Sequence, residues 1–125
     1  MLNKYILAID QSTQGTKGLL FDYQGDLVSR CDIPHKQIID SRGFVEHDPN
    51  EIIHNTIEVV KKVVEQTDID KNNILGVGIS NQRETALIWD RDTGKPVYNA
   101  VVWQCARGEK ICNKIEKNGY SAMIK

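Results

Sequence analysis

A short polar run between two apolar stretches carries residue types that suit phosphate binding. It reads Asp10-Gln11-Ser12-Thr13-Gln14-Gly15-Thr16-Lys17 and offers hydroxyls, backbone amides, a glycine and a cation. A simple hairpin turn needs only Asn-Gly or Asp-Gly, so this composition exceeds what a turn requires. The spacing matches neither a Walker loop nor a dinucleotide fingerprint. Taken alone, the run is either a solvated hairpin loop or a phosphate loop of another kind.

Individual residues of this run suit separate parts of a nucleotide site. Gly15 lets the backbone approach an anion, Lys17 supplies a compact positive charge, and Thr13 and Thr16 can donate through hydroxyl and amide. Asp10 ends the first apolar stretch, where its carboxylate could hold a hydrated Mg²⁺ ion. We therefore predict a magnesium site at Asp10. The predicted phosphate-binding residues are Thr13, Gln14, Gly15 and Lys17.

A second group of residues with useful chemistry lies later in the chain. The hydroxyls of a polyol both donate and accept, so a specific site needs donor-only and acceptor-only groups beside an apolar wall. Arg83 could donate two bonds, Glu84 could accept from two hydroxyls, and Trp103 could pack against a carbon chain. Taken without further context, Arg83 and Glu84 are more often surface charges, and Trp103 is more often part of the hydrophobic core.

The context of both groups resembles a known family. Residues 10–17 are similar to the first phosphate loop of the actin, hexokinase and sugar-kinase superfamily. Residues 79–85 and 93–105 resemble the glycerol kinases, a group within the FGGY carbohydrate kinases, and the likeness runs over nearly the whole chain. The resemblance implies phosphorylation of a polyol, glycerol above all, with ATP and Mg²⁺. It also implies that Arg83, Glu84 and Trp103 bind the substrate.

The same resemblance predicts the fold and the extent of the machinery. We expect an α/β, RNase H-like mixed sheet with its first three strands antiparallel and helices packed on it. Residues 1–125 are then the N-terminal part of the first lobe of an FGGY kinase, without the second lobe. No catalytic residue is predicted within this segment, because the general base of the family is an aspartate expected beyond Lys125. The isolated chain is expected to be inactive, and the full-length protein to form a homo-oligomer.

Departures from the family pattern leave the acceptor open. The glycerol kinases usually carry Gly-Thr-Thr-Ser-Ser-Arg where this chain has residues 12–17, and a second arginine where it has Ala106. A pentulose kinase of the xylulokinase type is the nearest alternative, although such proteins carry Gln-Met-His-Gly where this chain reads Gln82-Arg83-Glu84-Thr85. An actin-like ATPase shares the loop but has no polyol pocket. A remnant that only binds a small molecule is a third alternative.

Hydrophobic patterning predicts the elements that position these residues. Three antiparallel strands are expected from the stretches around the polar run and from residues 27–33, whose apolar and polar side chains alternate. A helix is expected from Asp48-Pro49, with Glu51 reaching back to the cap amide, and it should end near Gln66 or Thr67. Its predicted apolar face consists of Ile53, Thr56, Ile57, Val60 and Val64.

The second half of the chain is predicted to return to the sheet. Residues 74–79 are almost wholly apolar, which favours a parallel strand covered on both faces with a ligand at its carboxyl end. Residues 85–90 and 100–103 are expected to be strands joined through a hairpin loop at 91–95. A helix over residues 107–117 should stop at Asn118-Gly119.

Composition and charge narrow the class of protein. Sixteen basic and seventeen acidic residues give a formal net charge of −1, and no basic face stands out, so no nucleic acid partner is expected. Apolar runs are short and residues 1–5 lead directly into a strand, which predicts a cytoplasmic protein without a spanning helix or signal peptide. The three cysteines, at positions 31, 105 and 112, suit reduced buried thiols. Arg107 and the histidines at 35, 47 and 54 are assigned no role.

Overall fold

The computed structural model describes residues 4–124, so predicted features at residues 1–3 and at Lys125 lie outside the described residues. Seven strands and two helices of more than one turn follow one another along this range. In chain order they are β1 (Tyr5–Gln11), β2 (Gly15–Asp22), β3 (Leu27–Pro34), β4 (Ile38–Ile39), β5 (Val45–His47), α1 (Pro49–Glu65), β6 (Ile74–Asn81), β7 (Ala100–Val101) and α2 (Glu109–Lys117).

A mixed sheet in the order β3-β2-β1-β6 forms the frame of the fold. β2 pairs antiparallel with both β1 and β3, whereas β6 runs parallel to β1 after the crossover through α1. Both the antiparallel opening and the parallel crossover confirm the prediction from the sequence. Because β1 and β6 are parallel, their carboxyl ends meet at one edge of the sheet, where Gln11 pairs with Asn81.

The hydrophobic core lies between this sheet and α1. Leu7 and Ile9 of β1, Leu20 of β2 and Val63 of α1 are buried together. Gly18 of β2 allows the close approach of the helix, because a Cβ built there would lie 2.4 Å from Val59 Cγ1. A side chain at position 18 would therefore push α1 away from the sheet.

The buried face of α1 agrees only in part with the predicted one, since Val60 and Val64 pack against the core as predicted. Asn55, Val59 and Val63 are buried, whereas Ile53 and Ile57 are exposed. Aliphatic residues occupy more than one side of this helix, so their spacing fits two neighbouring faces equally well. The contact between Gly18 and Val59 decides which face of the helix packs on the sheet. This contact cannot be inferred from the spacing of apolar residues within the helix.

The boundaries of α1 agree with the prediction, but the capping box is wrong. Asp48 caps the helix by accepting a hydrogen bond from the Asn50 amide at 2.8 Å, and Pro49 begins it. The Glu51 carboxylate instead accepts from the Lys36 amide, with its two oxygens at 3.3 and 3.2 Å. Glu51 therefore ties the segment after β3 to the start of α1 and does not satisfy the cap.

Strand β6 is present as predicted, but it is not covered on both faces. α1 packs over β2 and β3, which leaves Leu75, Val77 and Ile79 of β6 exposed. These side chains are on the same side of the sheet as α1, because Leu7 and Ile9 of β1 are their register partners at 77 and 79. Together they form an apolar strip at the edge of the sheet.

The predicted hairpin is present, although residues 85–90 are not a regular strand. Ala86 and Val101 exchange backbone hydrogen bonds of 2.9 and 3.0 Å, and Asp90 N donates to Lys95 O at 2.8 Å. Only isolated bridges join the two arms, one of them at Pro96, which has no amide to continue a ladder. The returning strand is also shorter than the predicted residues 100–103, because β7 covers only Ala100–Val101, and it pairs on its other side with β5.

A small sheet in the order β4-β5-β7 and the helix α2 complete the described chain. α2 begins two residues later than predicted and ends at Lys117, with Asn118 as its C-cap and then Gly119 with φ of 79°. The three cysteines are free, but none is fully buried as predicted: Cys31 and Cys105 are half-buried and Cys112 is exposed. Among residues 4–124 no helix combines the length and the apolar character needed to cross a membrane.

Candidate functional site

A cavity of about 450 Å³ opens at the edge of the sheet where β1 and β6 end. Its walls come from residues 10–13 after β1, residues 81–84 after β6, and Trp103 after β7. This volume is within the range of small-molecule pockets, which runs from roughly 300 to 1,000 Å³. The fold thus brings Asp10 and Thr13 of the polar run next to the predicted acceptor residues.

One hydrogen bond joins the two halves of the cavity. Trp103 Nε1 donates to Thr13 Oγ1 at 2.9 Å, across ninety positions of sequence. More than half of the Trp103 side chain stays exposed, at 57 %. Trp103 therefore lines the cavity and is not the core residue that its residue type alone would suggest.

Arg83 and Glu84 reach the cavity from the turn that follows β6. Glu84 has φ of 60°, the only positive value among the non-glycine residues described. A residue with a side chain is strained in this left-handed region, typically by about 1 kcal/mol, and such strain clusters at functional sites. Both Arg83 and Glu84 line the cavity, with Glu84 at the strained position of the turn.

Asp10 and Lys17 face each other across the β1–β2 pair. Lys17 Nζ lies 3.4 Å from Asp10 Oδ2, and both side chains are 41 % exposed. An ion pair with this exposure contributes little to stability. The Asp10 carboxylate forms part of the cavity wall. A carboxylate of that exposure has the oxygen donors that Mg²⁺ prefers, and room for the waters it retains.

The turn between β1 and β2 is closed by Ser12. Its amide and its hydroxyl both donate to Gly15 O, at 2.9 and 3.0 Å. Gly15 is required here by a close approach, since a Cβ built on it would lie 2.5 Å from Ile33 O at the end of β3. Gln14, Gly15 and Lys17 line a smaller neighbouring cavity of about 150 Å³. The predicted phosphate residues therefore divide between two adjoining spaces, with Thr13 in the larger one.

Several residues near the site escaped the sequence interpretation. Asn81 and Gln82 line the main cavity, and Gln82 Oε1 is buried without a hydrogen-bond partner among the described residues. Both residues lie at the carboxyl end of a parallel strand, where ligands commonly bind, so their position in the sequence could have predicted a place in the site. Thr16 was expected to face phosphate, but it is fully buried and its hydroxyl contacts His35.

Arg107 belongs to a separate polar cluster behind the cavity. Its guanidinium forms an ion pair with buried Glu46, which also accepts from Asn99 at 2.9 Å. Hydrogen bonds from Arg107 and then Asn99 hold the pKa of Glu46 below its usual range. Although burial opposes it, hydrogen bonding from Arg107 also lowers the pKa of the Cys105 thiol. The cluster fastens the segment before α2 to β5, which gives Arg107 a structural role.

His35 and His47 form a buried pair with ring centroids 5.9 Å apart, and His35 contacts the turn between β1 and β2. Burial lowers the pKa of both imidazoles. For His35 the neighbouring His47 lowers it further, and Glu51 acts in the opposite direction on each. Both rings are therefore neutral in the folded chain at neutral pH.

These histidines make the stability of the fold sensitive to acid. An unfolded histidine takes up a proton below its ordinary pKa of 6.5, whereas the folded ones do so only at lower pH. The unfolded state then binds more protons, so the free energy of unfolding should fall below pH 6.5 by up to about 1.4 kcal/mol per pH unit for each histidine. Urea unfolding between pH 5 and 8 measures that slope. His47→Gln should reduce the slope relative to the wild type; equal slopes in the two chains would contradict the assignment.

Comparison with known proteins identifies the family. The model of the FGGY family of carbohydrate kinases, N-terminal domain, matches residues 5–125. The chain therefore belongs to the FGGY carbohydrate kinases. It is 50 % identical over 121 residues to glycerol kinase 1 of Thermotoga maritima, covering 97 % of this chain and 25 % of that protein.

Solved structures support the same fold. The glycerol kinase of Plasmodium falciparum, crystallised with ADP, is 39 % identical with a TM-score of 0.79, over 90 % of this chain and 23 % of that one. A ligand-bound xylulose kinase of Lactobacillus acidophilus is 24 % identical with a TM-score of 0.87, over 97 % and 24 %. These likenesses confirm the predicted fold of the actin and hexokinase superfamily. The chain spans about a quarter of the length of the relatives it matches.

Proposed function

We propose that this chain is the N-terminal part of the first lobe of a cytoplasmic kinase that transfers a phosphoryl group from ATP to glycerol. The observation that carries the proposal is the single cavity shared by Asp10, Thr13, Arg83, Glu84 and Trp103. The apolar strip on β6 supports the assignment to a larger lobe, because an exposed strip of this kind on an edge strand is normally covered. Assembly into a homo-oligomer stays a prediction.

The acceptor side of the cavity suits a small polyol. Arg83 would donate two hydrogen bonds in a fixed fork, and Glu84 would accept from neighbouring hydroxyls. The exposed face of Trp103 would pack against the carbon chain, while its indole nitrogen stays bonded to Thr13. Because Arg83 can only donate and the Glu84 carboxylate can only accept, each hydroxyl of the polyol is restricted to one role, which fixes the orientation of the polyol.

The phosphate side lies directly beside it. Thr13, Gln14, Gly15 and Lys17 would hold the phosphates, and Asp10 would hold Mg²⁺ through its waters. Mg²⁺ neutralises charge on the phosphates when it is bound. In the transfer, a terminal hydroxyl oxygen of glycerol forms a bond to the γ-phosphorus as the bond to the ADP oxygen breaks. The hydroxyl proton passes to a base, which we place outside the described residues.

ADP release by the full-length protein, with ATP and Mg²⁺, tests the proposal against a panel of acceptors. Glycerol should be preferred by at least about tenfold in kcat/KM over xylulose, ribulose, gluconate and erythritol, because the cavity presents both Arg83 and Glu84. A preference for xylulose or ribulose would replace glycerol with a pentulose. ADP release that is independent of every acceptor would instead indicate an ATPase.

A further inference from the structure

We propose that His35 is a positioning residue that holds the phosphate loop against α1; the effect on ATP rests on the function proposed above. The loop is supported from behind by the end of β3. Gly15 pairs with Pro34, and the carbonyl of Ile33 lies so close that no side chain fits at position 15. The segment 33–35 is thus the surface on which the loop rests.

His35 bonds to the loop through its backbone and its ring. Its amide donates to Gln14 O at 2.9 Å, and its Nε2 lies 3.0 Å from Thr16 Oγ1. Gln14 and Thr16 flank the glycine at which the chain reverses. Both ends of this reversal are therefore fastened to one residue.

The other ring nitrogen is fastened to the helix. Asn55 Nδ2 lies 3.1 Å from His35 Nδ1 and 3.2 Å from Pro34 O. An amide nitrogen can only donate, so Nδ1 accepts and the neutral ring carries its proton on Nε2. That proton is donated to Thr16, and the Gln11 amide, 3.3 Å from the same ring nitrogen, donates to Ser12 O at 3.1 Å.

Burial makes this connection rigid. Thr16 is fully buried, and His35 and Asn55 are exposed by only 8 and 7 %. Hydrogen bonds that are excluded from water lose more when a partner is removed, because the remaining group stays unpaired. The loop amides of Thr13 and Gln14 would then be held at a constant distance from Asp10, as a preorganised phosphate site requires.

Two substitutions test the two hydrogen bonds of the His35 ring, to Thr16 and to Asn55, one at a time. His35→Gln retains a donor near the Nε2 position and can still reach Thr16, whereas His35→Asn retains only a group near Nδ1 and can reach Asn55. We expect His35→Asn to raise KM for MgATP about tenfold and leave KM for glycerol within about twofold. His35→Gln should retain a KM for MgATP near that of the wild type, because the bond to Thr16 is kept and Asn55 still holds the end of β3 to α1 through Pro34 O. The matched control is His54→Gln, at an exposed position of α1 that is outside this network.

Hydrogen exchange of the full-length protein supplies a readout that does not depend on activity. His35→Asn should speed exchange at residues 12–17 while residues 5–9 of β1 keep their wild-type rates. Uniform acceleration over the whole sheet, unchanged exchange at 12–17, or equal behaviour of the Gln and Asn variants would each overturn the proposal. If the wild type releases no ADP but exchange still changes only at 12–17, the proposed function fails and the role of His35 stands.

Discussion

The Arg83→Lys variant of the full-length protein should lose about a hundredfold in kcat/KM for glycerol while KM for MgATP changes by less than about threefold. Lysine keeps the charge but cannot make two parallel hydrogen bonds, and each bond to a charged group is worth roughly 1.5–3 kcal/mol. Steady-state kinetics with either substrate varied measures both constants. Arg91→Lys is the matched control, because Arg91 is exposed in the hairpin turn away from the cavity. An equal loss in that control, or a larger change in KM for MgATP, would contradict the acceptor role.

A substitution at Glu84 can distinguish loss of acceptor binding from loss of folding stability. Glu84→Gly removes the carboxylate and also relieves the left-handed backbone at φ of 60°. We expect activity toward glycerol to fall at least as far as in Arg83→Lys, while the free energy of unfolding stays equal or rises by up to about 1 kcal/mol. A residue kept for structure would show the reverse, with lower stability and retained activity.

The sequence predicted which polar residues lie near one another better than it predicted the packing. Arg83 and Glu84 follow an apolar strand after a helix, and Asp10 ends the first strand. The rule that parallel strands present their carboxyl ends at one edge is enough to place these residues near one another. Trp103 could be associated with them only through the family resemblance, since its approach depends on how β7 pairs with β5.

The buried face of α1 and the irregular arm at 85–90 depended on contacts that are distant in sequence. Val59 is buried because Gly18 lies opposite it, and a pattern within the helix cannot report a glycine forty positions earlier. The arm at 85–90 has the composition of a strand, but Pro96 interrupts its partner. The anchoring of the loop by His35 was likewise invisible, because it requires the end of β3, the loop and α1 to be placed first.

The Asp10→Asn variant should reduce kcat about a hundredfold and shift the Mg²⁺ concentration at half-maximal activity upward by about tenfold. The carboxylate is in the cavity wall, and asparagine keeps its shape but not its negative charge. The Mg²⁺ dependence of ADP release at saturating ATP and glycerol measures both effects. Asp68→Asn, in the exposed loop after α1, controls for loss of one surface charge.

Stability distinguishes this role of Asp10 from a structural one. Lys17 Nζ lies 3.4 Å from Asp10 Oδ2, and each of the two side chains is 41 % exposed. Breaking this ion pair should therefore lower the free energy of unfolding by less than about 1 kcal/mol. A loss of that size cannot lower kcat a hundredfold in a protein that remains folded. A variant with wild-type kcat and Mg²⁺ dependence would remove Asp10 from the metal site. A variant that unfolds would instead show that the pair with Lys17 holds β1 and β2 together.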